Sequence, residues 1–161
     1  MKTRILIFCS ITFIFASAYS QNKICDEVFK KYADKQGFTT INIPGSALKL
    51  FFHDLKDNEF KITEFRLLSA EDSIVNENIN FYNEIVPKLK KHEYEELMSI
   101  KDKDQNFVML CKNKNGVIIE FILISGGKDN LLVNFTGRIS LSDAFKISQS
   151  LSDNDKLKEL E

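Results

Sequence analysis

The run Val117-Ile118-Ile119-Glu120-Phe121-Ile122-Leu123-Ile124 is apolar at odd and even positions alike, Glu120 excepted. Successive side chains of a strand point to opposite faces, so such a strand belongs inside a sheet that is covered on both sides. It is the middle of three β-type runs between Asn106 and Ile139, the others being Phe107–Cys111 and Leu131–Ile139. Asn113-Lys114-Asn115-Gly116 joins the first two and ends in Asn-Gly, the strongest short hairpin signal. The Gly-rich stretch Ser125-Gly126-Gly127-Lys128-Asp129-Asn130 joins the next two. The rest of the chain is expected to pack against this meander.

Upstream, Cys25, Val28, Phe29, Tyr32 and Ala33 recur at helical spacing, with Gly37 as the expected C-cap. Phe38–Ile43 alternates as a strand and stops at Pro44-Gly45. Ser46 then caps a second helix with the stripe Leu48, Phe51, Phe52 and Leu55. Asp57-Asn58 turns into a strand over Phe60–Leu68, and the polar Glu71–Asn78 segment reads as a loop. Ile79, Tyr82, Ile85, Val86 and Leu89 form another helical stripe, kinked or restarted at Pro87. A strand over Tyr94–Lys101 and a charged reversal through Asn106 lead into the meander. After it, Ser140 and Asp143 match a capping box for a helix with Leu141, Ala144, Phe145 and Ser148 inward, and the charged end, 152–161, is expected to fray. This order predicts an α+β domain: an antiparallel-rich sheet of about five to six strands with helices packed mainly on one face. The two early crossovers leave room for a parallel pair, and strand order stays open.

Residues 1–20 are read separately. Lys2 and Arg4, the apolar run Ile5–Phe15 and the small residues Ala16-Ser17-Ala18 have the layout of a secretory signal peptide. Its apolar run is too short for a stable membrane span. Cleavage falls after Ala18 or, preferably, after Ser20, which leaves 21–161 as a single domain, periplasmic or extracellular, with no membrane span of its own. The whole chain carries 22 Lys and Arg against 23 Asp and Glu, and losing Lys2 and Arg4 makes the balance slightly more acidic. A mildly acidic, mixed surface argues against nucleic acid and against anionic lipid as partners. Cys25 and Cys111 remain after processing. They either pair in the oxidising compartment or stay buried as free thiols.

Chemical motifs are sparse. Gly126-Gly127-Lys128 lacks the spacing of a phosphate loop and precedes a strand. Asp102-x-Asp104-x-Asn106 begins like a calcium loop, but Phe107 stands where glycine is needed and Asn113 where glutamate is needed. His53 and His92 are the only histidines and have no metal-ligand spacing, although Asp54, Asp57 and Glu59 lie near His53. No Gly-x-Ser-x-Gly elbow occurs, and no cofactor is implied. Glu120 needs a partner on its apolar strand, and Asn134 or Arg138 of the next run would supply it. The expected place is a partly exposed sheet face opposite the helices, where Glu120, Asn134 and Arg138 would form a polar patch.

Tyr94-Glu95-Glu96-Leu97-Met98, Val117–Ile124 with Gly126-Gly127, and Gly137-Arg138-Ile139-Ser140-Leu141 together resemble domain-of-unknown-function family 4252. That family comprises small exported proteins found mostly in Bacteroidetes, and the resemblance spans nearly all of the chain after residue 20. It implies a Gram-negative periplasmic location and brings no activity, cofactor or catalytic residue with it. In that setting Asp72-Ser73-Ile74 also resembles an O-glycosylation site. The leading expectation is a non-enzymatic binding, accessory or regulatory envelope protein that meets a protein or small ligand through a sheet face or an edge strand. The alternative is a hydrolase-type enzyme with a site assembled around His53.

Overall fold

A computed structural model describes residues 22–51 and 61–140. Ten elements follow in chain order: α1 (Lys23–Tyr32), β1 (Phe38–Pro44), α2 (Gly45–Phe51), β2 (Lys61–Ala70), α3 (Ser73–Asn78), α4 (Phe81–Leu89), β3 (Tyr94–Lys101), β4 (Gln105–Lys114), β5 (Val117–Gly127) and β6 (Leu131–Ile139). The six strands form one sheet in the order β1-β2-β6-β5-β4-β3. Every pairing is antiparallel, so the parallel pair that the crossovers allowed does not form. β6 returns to lie between β2 and β5, which makes β1 and β3 the two edges.

The sheet divides two cores. On one face Cys25, Val28, Phe29 and Tyr32 of α1 and Phe81, Ile85, Val86 and Leu89 of α4 meet Leu68, Val108, Leu110, Ile122, Ile124 and Leu132. On the other face Leu48 of α2 joins Phe65, Leu67, Met109, Cys111, Phe121, Leu123, Val133 and Phe135. β5 contributes to both, as its doubly apolar sequence requires. The architecture is α+β, with α1 and α4 on one side and, among the described residues, α2 on the other.

Several boundaries differ from the sequence reading, each for a local reason. The expected loop at Glu71–Asn78 contains α3, whose N-cap Asp72 accepts from the Ile74 N–H. Its one buried residue is Asn76, so no apolar stripe announces the helix. Ile79 is extended and ends α3, and Asn80 caps α4, which runs through Pro87 as one helix. Gly126 and Gly127 belong to β5, because each lies against backbone of a neighbouring segment: Tyr82 N beside Gly126 and Asp104 O beside Gly127. α1 is capped by Ala33, well before Gly37, whose φ of 85° serves the turn into β1. The Asn115-Gly116 hairpin takes positive φ at both residues, 54° and 78°, as a type I′ turn demands. The expected helix after Ser140, the frayed end, and Phe52, Leu55, His53, Asp54, Asp57, Asn58, Glu59 and Phe60 lie outside the described residues.

A row of irregularities crosses the sheet. Pairing shifts between Ile62 and Glu64 of β2, between Ile118 and Glu120 of β5, and between Glu96 and Met98 of β3. A one-residue shift moves the following side chains to the other face. Ile118 consequently joins the α2-side core while Glu120 faces α1, although strict alternation would put the two on one face.

Cys25 and Cys111 are both buried and free. They belong to cores on opposite faces of the sheet, so the disulfide considered from the sequence has no geometry in which to form. Burial, reinforced for Cys25 by nearby Glu120, pushes both thiols upward from their ordinary range.

Candidate functional site

Glu120 is 3% exposed and Asn134 1% exposed, both on the face covered by α1. The expected polar patch on an open face is therefore wrong. Regular alternation with Ile122 and Ile124 puts Glu120 under the helix, where an unpaired carboxyl would carry a large desolvation cost. It is instead fully partnered. Tyr94 Oη donates to Oε2 at 2.6 Å and Asn134 Nδ2 donates to Oε1 at 2.7 Å. Arg138 is exposed on the far side of the β6 irregularity and takes no part in this network.

The network continues to residues that the sequence did not single out. Arg66 donates to Asn134 Oδ1 at 2.8 Å and to Asp26 Oδ1 of α1 at 2.6 Å, and its guanidinium lies 4.6 Å from the centroid of the Phe29 ring. Asn22, the N-cap of α1, accepts from the Ile24 and Cys25 N–H groups and donates to Cys25 Sγ at 3.2 Å. The one available signal was Arg66 itself, a charge at an inward position between Phe65 and the apolar pair Leu67-Leu68. Its hydrogen-bond partners Asp26 and Asn134 lie on other elements, and nothing local reveals them; only Glu64 of the same strand, 3.7 Å from Nε, is near in sequence.

Burial holds the Glu120 carboxyl above the usual glutamate range, while hydrogen bonds from Tyr94, Asn134 and Asn22 and the Lys112 charge pull it back only in part. Burial and the same carboxylate push the Tyr94 hydroxyl up strongly. The folded carboxyl thus binds its proton more tightly than the unfolded one, which titrates near about 4.3. The stability it contributes is complete below that value and is lost as pH rises through the folded value. Glu120→Gln, a mimic of the protonated side chain, is expected to match the parent in urea midpoint near pH 4. It should exceed the parent by about 1 kcal/mol near pH 8. A variant that fell further behind as pH rose would overturn this assignment.

Chemically the network is almost fully paired under α1: of its buried side-chain polar atoms only Arg66 Nε has no hydrogen-bond partner, with Glu64 Oε2 3.7 Å away. Among the described residues no cluster of three or more His, Cys, Asp or Glu side chains is placed to hold a metal ion. His92 is exposed, and His53 lies outside the described residues. An open cleft of about 600 Å³ lies where α3 meets α4, lined by residues that include Asn76, Asn78, Asn80 and Lys128. Its amides serve the fold. Asn76 Oδ1 accepts from Asn130 N–H and Nδ2, Asn78 donates to the Ile74 carbonyl, and Asn80 accepts from the Asn83 N–H. Lys128 pairs with Asp104 at 3.3 Å, a role unrelated to phosphate.

The feature left without an internal explanation is the β3 edge. Four large apolar side chains are exposed among the described residues, and three of them, Leu97, Met98 and Ile100, lie within β3. Ile100 is 54% exposed. The opposite edge, β1, exposes Thr39, Thr40, Asn42 and Pro44 instead. An edge strand presents unpaired N–H and C=O groups, and proteins ordinarily blunt it with charge or proline. β3 has its charges at its ends and apolar residues at its centre.

A six-stranded antiparallel α+β domain with a buried polar network and one apolar edge strand is thus the class of protein present here. The chain belongs to the family described as Domain of unknown function (DUF4252), whose model matches residues 32–147. No curated protein and no solved structure matches the chain.

Proposed function

We propose that this protein is a non-enzymatic binding or accessory protein of the cell envelope, exported by the signal at residues 1–20, which holds an extended segment of another polypeptide along β3. The exposed run Leu97, Met98 and Ile100 on an unpaired strand carries the proposal. Strand addition takes its affinity from main-chain hydrogen bonds and its selectivity from alternate side chains, and β3 offers both. The buried Glu120 network supports a binding role at the edge, since its hydrogen bonds through Tyr94 and Asn134 tie β3 to β5 and β6 behind that edge.

A photo-crosslinking residue placed at Ile100 in cells tests this, with Ile74, the other strongly exposed apolar residue, as the control position. A discrete adduct from position 100 and none from position 74, on a chain whose N-terminus begins near Gln21, is the expected result. The absence of any adduct from position 100 would overturn the reading.

A further inference from the structure

We propose that the segment held along β3 is β3 of a second copy of this chain, paired antiparallel about a two-fold axis at Ser99. The two six-stranded sheets would then form one continuous sheet. This rests on the proposed function and names its partner.

The register within β3 carries the inference. Met98 faces Met109 and Ile100 faces Phe107, all on the α2 side of the sheet, whereas Ser99 faces Val108 on the α1 side. Directly opposed residues of an antiparallel pair share a face. A two-fold axis at Ser99 sets Met98 against Ile100 of the second copy and Ile100 against its Met98. Four exposed apolar side chains then cover one another beside Phe107 and Met109. An axis at Met98 would oppose Glu96 and Ile100, which the shift at Leu97 places on opposite faces. An axis at Ile100 would push Met98 against Asp102 in the turn.

The charges are self-complementary in the same arrangement. Glu95 and Glu96 lie at one end of β3, and Lys101 and Lys103 lie at or just beyond the other. Antiparallel pairing brings Lys101 diagonally toward Glu96 of the second copy, on the α1 side for both, whereas parallel pairing would align acid with acid. The β1 edge has no such pattern. Pairing through one short strand is a small interface beside the roughly 1,200–2,000 Å² of a stable complex, so a weak, concentration-dependent association is expected.

The test exploits the Met98–Ile100 opposition. Sedimentation of the processed full chain is expected to show a monomer–dimer equilibrium. Met98→Glu alone and Ile100→Lys alone should each weaken it about tenfold or more, and the double variant should recover most of that loss, because position 98 meets position 100 across the axis. Ser99→Cys should give a disulfide-linked dimer, which Lys128→Cys should not; the native thiols are buried. Circular dichroism of each variant confirms that it is folded. A protein that stays monomeric up to about 1 mM, the weak end of measurable association, or a double variant no better than the singles, overturns the proposal. If position 100 still crosslinks to a different chain, the proposed function stands while the second copy is eliminated. If it crosslinks to nothing, both fall.

Discussion

Gly137→Ala is expected to destabilise the protein by about 3–5 kcal/mol, a large part of the roughly 5–15 kcal/mol that holds a domain of this size together. Gly137 has φ 126°, a conformation essentially closed to residues with a side chain. A Cβ there would stand 2.0 Å from the Lys61 carbonyl oxygen and 2.7 Å from Ile62 Cα, so the backbone of β2 would have to retreat. Gly116→Ala is the matched control. Its φ is 78°, but nothing lies within 4 Å of the added carbon, and the cost should stay near about 1 kcal/mol. Urea midpoints of the two variants measure the difference. Equal losses would mean that β2 and β6 do not approach as described.

Arg66→Ala is expected to cost about 3 kcal/mol. The substitution strips Asn134 Oδ1 of its donor in a buried position, leaves Asp26 without its ion pair and uncovers the Phe29 ring. Arg66→Met restores the packing of the stem and should recover only the part of the loss that is apolar contact. If Arg66→Met were as stable as the parent, the hydrogen bonds would contribute nothing net. Combining Arg66→Ala with Asp26→Ala completes a cycle, and a coupling of about 1 kcal/mol or more is expected for groups this close.

The elements whose residues interact with near neighbours were legible in the sequence. α1, α4, the Asn115-Gly116 hairpin and the doubly covered β5 are each encoded by local period or turn chemistry. α3 was not, because it is anchored by an asparagine: Asn76 donates to the Ala70 carbonyl and accepts from Asn130. The polar site was half legible. Glu120 announced its need for a partner, and Asn134 was named, but its face was misjudged. Alternation groups Glu120 with Ile122 and Ile124 but does not say which face the helices cover, and α1 covers this one. The need for Gly137 was not legible, because it comes from β2, a strand far away in sequence, passing too close for a side chain. Arg66, Asp26 and Tyr94 come from three separate elements, and their meeting is a property of the strand order, which no local pattern contains.

That strand order also governs when the fold can be completed. β1 and β2 pair with each other, but among the described residues β6 is the strand that joins them to the rest of the sheet, with Lys61 facing Arg138 across a long stretch of intervening chain. β3 to β6 form by successive neighbouring reversals, whereas β2 must wait for the last strand. Closing that distant pair is the entropically expensive step and sets a slow pace for folding. Before β6 is in place, the β1–β2 pair has no other described strand of the sheet to join.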